Sequence, residues 1–312
     1  MTLADAHPPT AAASTAPVPT SPPSGAGPHD GPEAGNAGTD GPLRLQRARG
    51  AVAVSFKSAG GRTRLDRLYQ DGCGKARLPR TYDGVPVAVL LNTAGGVTGG
   101  DEVSYRVGFG AGTRAVATTQ AAERIYRRAE GLGRIVTRLE VGPGADAAWL
   151  PQETIVFDRA GLDRRLDIEM AGDARLLAVE AVVLGRTAMG ETVREASIAD
   201  HWRLVRAGRL VYADSLRLSG DVPAALASAA TGRGAGAMAT VLLAAPDAES
   251  RLAEMRDLVE AHAPTSVEAG VSAFDGLLVA RFLAPAGRPL RDCLVSVLEN
   301  FRGTMLPAVW RC

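Results

Sequence analysis

The chain has 312 residues, 46% of them hydrophobic and 4% aromatic, with a formal net charge of +1. This length suits one large domain or two ordinary ones, with ample apolar content for a core. The charge is too balanced for a nucleic-acid footprint or a membrane-surface patch, and no apolar run reaches the roughly 18–20 residues a membrane span requires.

Cys73, Cys293 and Cys312 lie far apart without a C-x-x-C pair, which argues against a disulfide framework or a structural zinc site. Lys57 and Lys75 are the only lysines; every other basic residue is arginine. The first residues show neither the basic n-region nor the apolar h-region of a secretory signal. A reducing cytoplasm is the expected compartment.

Residues 1–42 are dominated by Pro, Ala, Gly, Ser and Thr and carry no Lys or Arg before Arg44. Without periodic apolar residues this stretch does not repay its ordering entropy and is predicted to be a disordered tail. Residues 43–312 are expected to form a single mainly β domain. His7 and His29 belong to the tail, where two isolated imidazoles make a poor metal site.

From Ala51 to about Leu243 the dominant period is two. Val85, Val87, Val89 and Leu91 alternate, as do Val103, Tyr105, Val107 and Phe109. The pattern recurs at Ile135, Thr137, Leu139 and Val141, and at Leu166, Ile168 and Met170. Successive strand side chains point to opposite faces, so each set lines one buried face. Glycine-rich turns such as Gly142-Pro143-Gly144 separate the runs. Many short strands with close turns predict an all-β body whose pairs are mostly antiparallel, because parallel neighbours need longer crossovers. Periodicity alone leaves sandwich, barrel and β-helix-like coil open.

Three segments within this region stand out. LNTAGGVTGGD (Leu91–Asp101) offers four glycines but no G-x-x-x-x-G-K-[ST], no nearby lysine and no following helix. It therefore reads as a tight connection between strands, not a phosphate cradle. TTQAAERIYR (Thr118–Arg127) sets Glu123, Arg124 and Arg127 around Tyr126, a pattern that surface ion pairing explains. In LPQETIVFDRA (Leu150–Ala160), Glu153 and Asp158 flank the apolar Ile155-Val156-Phe157. Those carboxylates either end a strand in water or line a wet interior channel.

Two α-helices are predicted in the C-terminal quarter. Asp247 is placed to cap one over Ala248–His262, with Leu252, Met255, Leu258, Val259 and His262 on one face. Two strands should follow, near Ser266–Ala273 and Leu277–Leu283. The second helix should start at Pro289, carry Leu290, Cys293, Leu294, Val297, Leu298 and Phe301 as its apolar stripe, and stop at Gly303. Outside the tail only His201 and His262 remain as histidines, and neither G-x-S-x-G nor H-E-x-x-H occurs. Residue types therefore point away from a hydrolase, a metalloenzyme or any other enzyme.

Taken in order, LNTAGGVTGGD, TTQAAERIYR, LPQETIVFDRA, the run EAVVLGRTAMGE (Glu180–Glu191) and the terminal Leu306–Trp310 resemble the UreD/UreH family of urease accessory proteins. Coverage runs from Leu45 to Trp310. The tail has no counterpart in the family pattern, and Ala308 stands where an arginine is common. The resemblance implies a mainly β, coiled, β-helix-like body with two α-helices near its end. It implies a chaperone subunit working with UreF, with the GTPase UreG and with the urease apoprotein during assembly of a dinuclear nickel centre on a carbamylated lysine. No cofactor would be tightly bound: nickel would be in transit, and GTP would act only through the partner GTPase.

Strong Cys and His sites would trap such an ion, whereas carboxylates and carbonyls hold it exchangeably. Asp101, Glu123, Glu153, Asp158 and Glu180, all within or beside those motifs, are the expected transient nickel ligands. The alternative is a purely bridging module with no conduit. Either way, the C-terminal helices and adjoining strands are expected to meet the partner.

Overall fold

The structure is a computed structural model that describes residues 46–186 and 190–311. The predicted tail, with His7 and His29, lies outside the described residues, as do Met189 and Cys312.

The strands are β1 (Arg49–Ala59), β2 (Arg62–Gly72), β3 (Gly74–Arg77), β4 (Val87–Asn92), β5 (Glu102–Phe109), β6 (Arg114–Thr119), β7 (Glu123–Ile125), β8 (Gly133–Val141) and β9 (Asp146–Leu150). They continue with β10 (Thr154–Val156), β11 (Ala160–Met170), β12 (Arg175–Leu184), β13 (Glu195–Arg206), β14 (Arg209–Asp221), β15 (Ala237–Ala244), β16 (Glu268–Phe274) and β17 (Leu277–Ala284). The helices are a short α1 (Val222–Leu226), α2 (Leu252–His262) and α3 (Gly287–Arg302).

Two sheets face each other. The first runs β14-β13-β11-β8-β5-β1-β2 and the second β16-β17-β15-β12-β9-β6-β4-β3, with β7 and β10 attached beside β12. From β5 to β13 the chain alternates between the sheets, so each same-sheet neighbour lies one full coil away. That makes β1-β5-β8-β11-β13 parallel, and β4-β6-β9-β12 likewise. The expectation of mostly antiparallel pairs is therefore corrected. The short turns lead to the opposite sheet, and the strand there serves as the crossover.

The alternating sets behave as the period demands. Val103, Tyr105, Val107 and Phe109 are all buried, as are Ile135, Thr137, Leu139 and Val141. In β4 Ala88 and Leu90 enter the core between the sheets, while Val87 on the other face, and Val85 just before the strand, are partly buried against the second core.

In α3 the whole predicted stripe is buried and packs on the second sheet. The helix begins at Gly287, two residues before the expected Pro289, because the chain enters extended at Ala286. A Cβ on Gly287 would sit 3.0 Å from the Val183 methyls, so glycine allows the close approach. Gly303 closes α3 with φ of 62°. The other predicted cap is corrected: Ala248–Arg251 forms a 3-10 turn and α2 starts at Leu252. Asp247 makes no side-chain cap because Arg175 Nη2 donates to its Oδ2 at 2.7 Å.

Candidate functional site

The five motif segments are distant in sequence and contiguous in space. Asn92 opens the glycine connection, its Oδ1 accepting from Ala94 N and its Nδ2 donating to Gly96 O. Val97 then bridges to Ile125 in β7, and β7 pairs in parallel with β10. β10 pairs with the end of β12, and Gly185 N donates to Val156 O just beyond it. Trp310 Nε1 donates to Leu150 O, which joins the C-terminal motif to the same wall. Aromatic packing locks the junction: Tyr126 meets Phe157 edge-on at 5.0 Å, and the Arg186 guanidinium stacks 4.5 Å above the Phe157 ring. The Tyr126 ring fills the space a Cβ on Gly96 would need, 2.3 Å away.

Three of the five expected carboxylates are already committed within this wall. Asp101 is buried, with Oδ1 accepting from Ala48 N and Oδ2 from Thr98 N, both at 2.8 Å. Asp158 Oδ1 accepts from the Arg194 and Glu195 amides, and those bonds hold its carboxyl below the ordinary carboxylate range. Glu153 Oε2 accepts from Arg291 Nη1 at 2.7 Å, tying α3 to the wall.

The remaining two are less engaged. Glu123 accepts from Asn92 Nδ2 at 3.1 Å. Burial pushes its carboxyl up to about 7, with hydrogen bonds from Asn92 and the Arg124 backbone pulling the other way. Glu180 lies deeper, at an inward position of β12 in series with Leu176, Ala178, Val182 and Leu184. Its Oε1 accepts from Trp149 Nε1 at 3.3 Å. Its Oε2 lies 3.3 Å from Arg164 Nη2 yet makes no hydrogen bond, the one such buried side-chain oxygen or nitrogen among the described residues.

Arg164 and Asp200 complete this interior cluster, and sequence reasoning missed both. They stand opposite each other in the β11–β13 register. Arg164 Nε donates to Asp200 Oδ1 at 3.0 Å and Nη2 to Oδ2 at 2.5 Å, while Nη1 reaches Thr154 Oγ1 at 2.7 Å. Arg164, Glu180 and Asp200 are 6%, 6% and 7% exposed. The signal was present: Arg164 interrupts Leu162-x-Arg164-x-Leu166, and Asp200 interrupts Ile198-x-Asp200-x-Trp202. A charge in phase with a buried alternation must find a partner inside.

Electrostatically the trio is one guanidinium against two carboxylates. Burial raises Glu180 well above its ordinary value, opposed by the attraction of Arg164 and reinforced by the Asp200 charge. A protonated Glu180 makes the cluster neutral, and an ionised one leaves a net negative charge facing a single unsatisfied oxygen. Chemically this arrangement can gain or lose a proton at Glu180. Among the described residues no three His, Cys, Asp or Glu side chains converge as a metal cage, and no helix is long and apolar enough to cross a membrane.

The family model for the UreD urease accessory protein matches residues 48–311. A urease accessory protein UreD from Methylobacterium sp. (strain 4-46) is 52% identical over 271 residues, spanning 86% of this chain and 96% of its own length. Its counterpart from Rhizobium leguminosarum bv. viciae is 48% identical over 268 residues, at 86% and 96% coverage. That from Agrobacterium fabrum (strain C58 / ATCC 33970) is 43% identical over 270 residues, at 86% and 93%. With the motif wall intact and nearly the whole described body matched, the chain belongs to the UreD family of urease accessory proteins.

Proposed function

We propose that this chain is a chaperone subunit of urease maturation, linking apo-urease to UreF and the GTPase UreG in the cytoplasm and passing nickel through its interior. It carries no tightly bound cofactor on this reading, and GTP is hydrolysed by the partner. The observation that carries the conduit is the unsatisfied Glu180 Oε2 between the sheets, in a cluster whose charge changes by one on proton loss. A hard carboxylate oxygen with one open position binds a divalent ion weakly and releases it readily. Glu123, half-buried and accepting from Asn92, is the second step of the path. Asp101, Glu153 and Asp158 frame the passage from positions their own hydrogen bonds fix.

Arg164 favours a second reading. A buried guanidinium beside Glu180 repels a passing cation, and a bridging module without a conduit accommodates that charge more simply. Replacing Glu123 and Glu180 together by glutamine separates the two. Under the conduit reading the variant co-purifies with UreF and apo-urease as before, while urease activation falls by about tenfold or more, a barrier change of roughly 1.4 kcal/mol. Unchanged activation with intact assembly favours the bridge. Loss of assembly means the two carboxylates serve the fold.

A further inference from the structure

The first sheet ends at β2, and among the described residues nothing pairs with its outer edge. An edge strand presents a row of unused N–H and C=O groups, which folded proteins ordinarily shorten, cover or charge. This one is 11 residues long, and exposed apolar side chains stand on both of its faces. Leu65 and Leu68 are 40% and 39% exposed, although they sit opposite the core residues Phe56 and Val54 and so share their inward face. Tyr69, 58% exposed and opposite Ala53, stands on the outward face with Arg64 and Arg67. The extra residue of the bulge, Asp66, is neutralised within the chain by Lys57 at 2.9 Å. Arg62 and Arg64 make no ion pair among the described residues, and Arg67 reaches only Asp66, at 3.9 Å. From Arg62 to Tyr69 the edge is thus basic outside, with Leu65 and Leu68 inside.

We infer that β2 is a docking edge for an extended segment of a partner protein, one that adds to the first sheet as a further strand and alternates carboxylate with apolar side chains. The backbone ladder supplies attachment, and the alternation supplies specificity. Side chains of an added strand fall beside Arg62, Arg64 and Arg67 on one face and beside Leu65 and Leu68 on the other. Carboxylates on the first face are met by bidentate guanidinium donors. Apolar groups on the second extend the core past its present margin. The chain's net charge is only +1, so attraction of an acidic peptide has to come from local arrangement, not from overall charge. This inference stands on the edge geometry alone and does not require the nickel path.

The test uses the full chain and a short peptide of alternating glutamate and valine. Its lysine–valine counterpart and a version N-methylated at alternate amides serve as controls. Saturable binding of the first is expected, with none for the lysine peptide. N-methylation should abolish binding, since it removes the ladder donors. The double variant Arg64→Glu/Arg67→Glu, at exposed positions, should weaken binding by about tenfold or more with its thermal melt unchanged. No binding by the wild type overturns the inference, as does binding indifferent to peptide charge or to N-methylation. Sedimentation showing that the edge instead pairs with β2 of a second copy also overturns it.

Discussion

Replacing Arg164 by methionine should destabilise the fold by about 3–5 kcal/mol, the cost of leaving buried charges without their partner. Three conditions make this the largest single effect expected. Asp200 loses two hydrogen bonds, Glu180 loses its only neighbouring cation among the described residues, and Thr154 Oγ1 loses its donor. The groups belong to β10, β11, β12 and β13, in both sheets, so the damage crosses the whole sandwich. Lysine is not an adequate substitute, because a single ammonium cannot reproduce the two-pronged contact to Asp200.

The loss should also depend on pH. Glu180 is raised in the folded state, so its favourable contribution is complete below the unfolded carboxyl value and fades as pH rises through the higher folded one. Without Arg164, Glu180 loses the attraction that opposes burial and moves further up. Urea unfolding should therefore show a smaller deficit for Arg164→Met at pH 5 than at pH 8. A deficit below about 1 kcal/mol at pH 8 would show that the trio does not hold the sheets together.

Gly99→Ala should cost about 3 kcal/mol, at the upper end for overpacking. A Cβ there would lie 1.9 Å from Glu130 O and 3.0 Å from Glu130 C. Both are backbone atoms, so no rotamer change relieves the clash. Gly95 is the internal control: it sits in the same connection with φ of 79° but has nothing within 4 Å of its would-be Cβ. Gly95→Ala should therefore carry only the left-handed backbone penalty, about 1 kcal/mol. Equal midpoints for the two variants in urea unfolding would contradict this account of the motif.

The contrast between those glycines shows what the sequence discloses and what it withholds. The run LNTAGGVTGGD reads as a strand connection because glycine permits tight turns and no helix follows, and it does join β4 to β5. Which glycine is irreplaceable depends on Glu130, far along the chain and invisible to local reasoning. Strand faces were legible wherever one face is buried, as in Val103–Phe109. They were misjudged in β4, where Ala88 and Leu90, not the predicted Val85, Val87, Val89 and Leu91, face the core between the sheets.

Parallel pairing was missed because turn length reports the next element, which here lies in the opposite sheet. Asp247 has the residue type of a cap but is captured by Arg175, a contact that forms only when β12 meets the 3-10 turn. Among the candidate site residues, Glu180 was found through its motif. Its partners Arg164 and Asp200 lie in β11 and β13, outside the motif segments, so the motifs did not point to them.

The conduit reading requires nickel to pass the Glu180 carboxylate. The direct measurement is the rate of urease activation by the assembled complex of this chain, UreF, UreG and apo-urease, with GTP present and a nickel chelator in the surrounding solvent. The wild-type complex is expected to activate urease despite the chelator. The Glu180→Gln complex, assembled to the same extent, should do so about tenfold more slowly or worse. Equal rates for the two complexes would mean that nickel travels by another route.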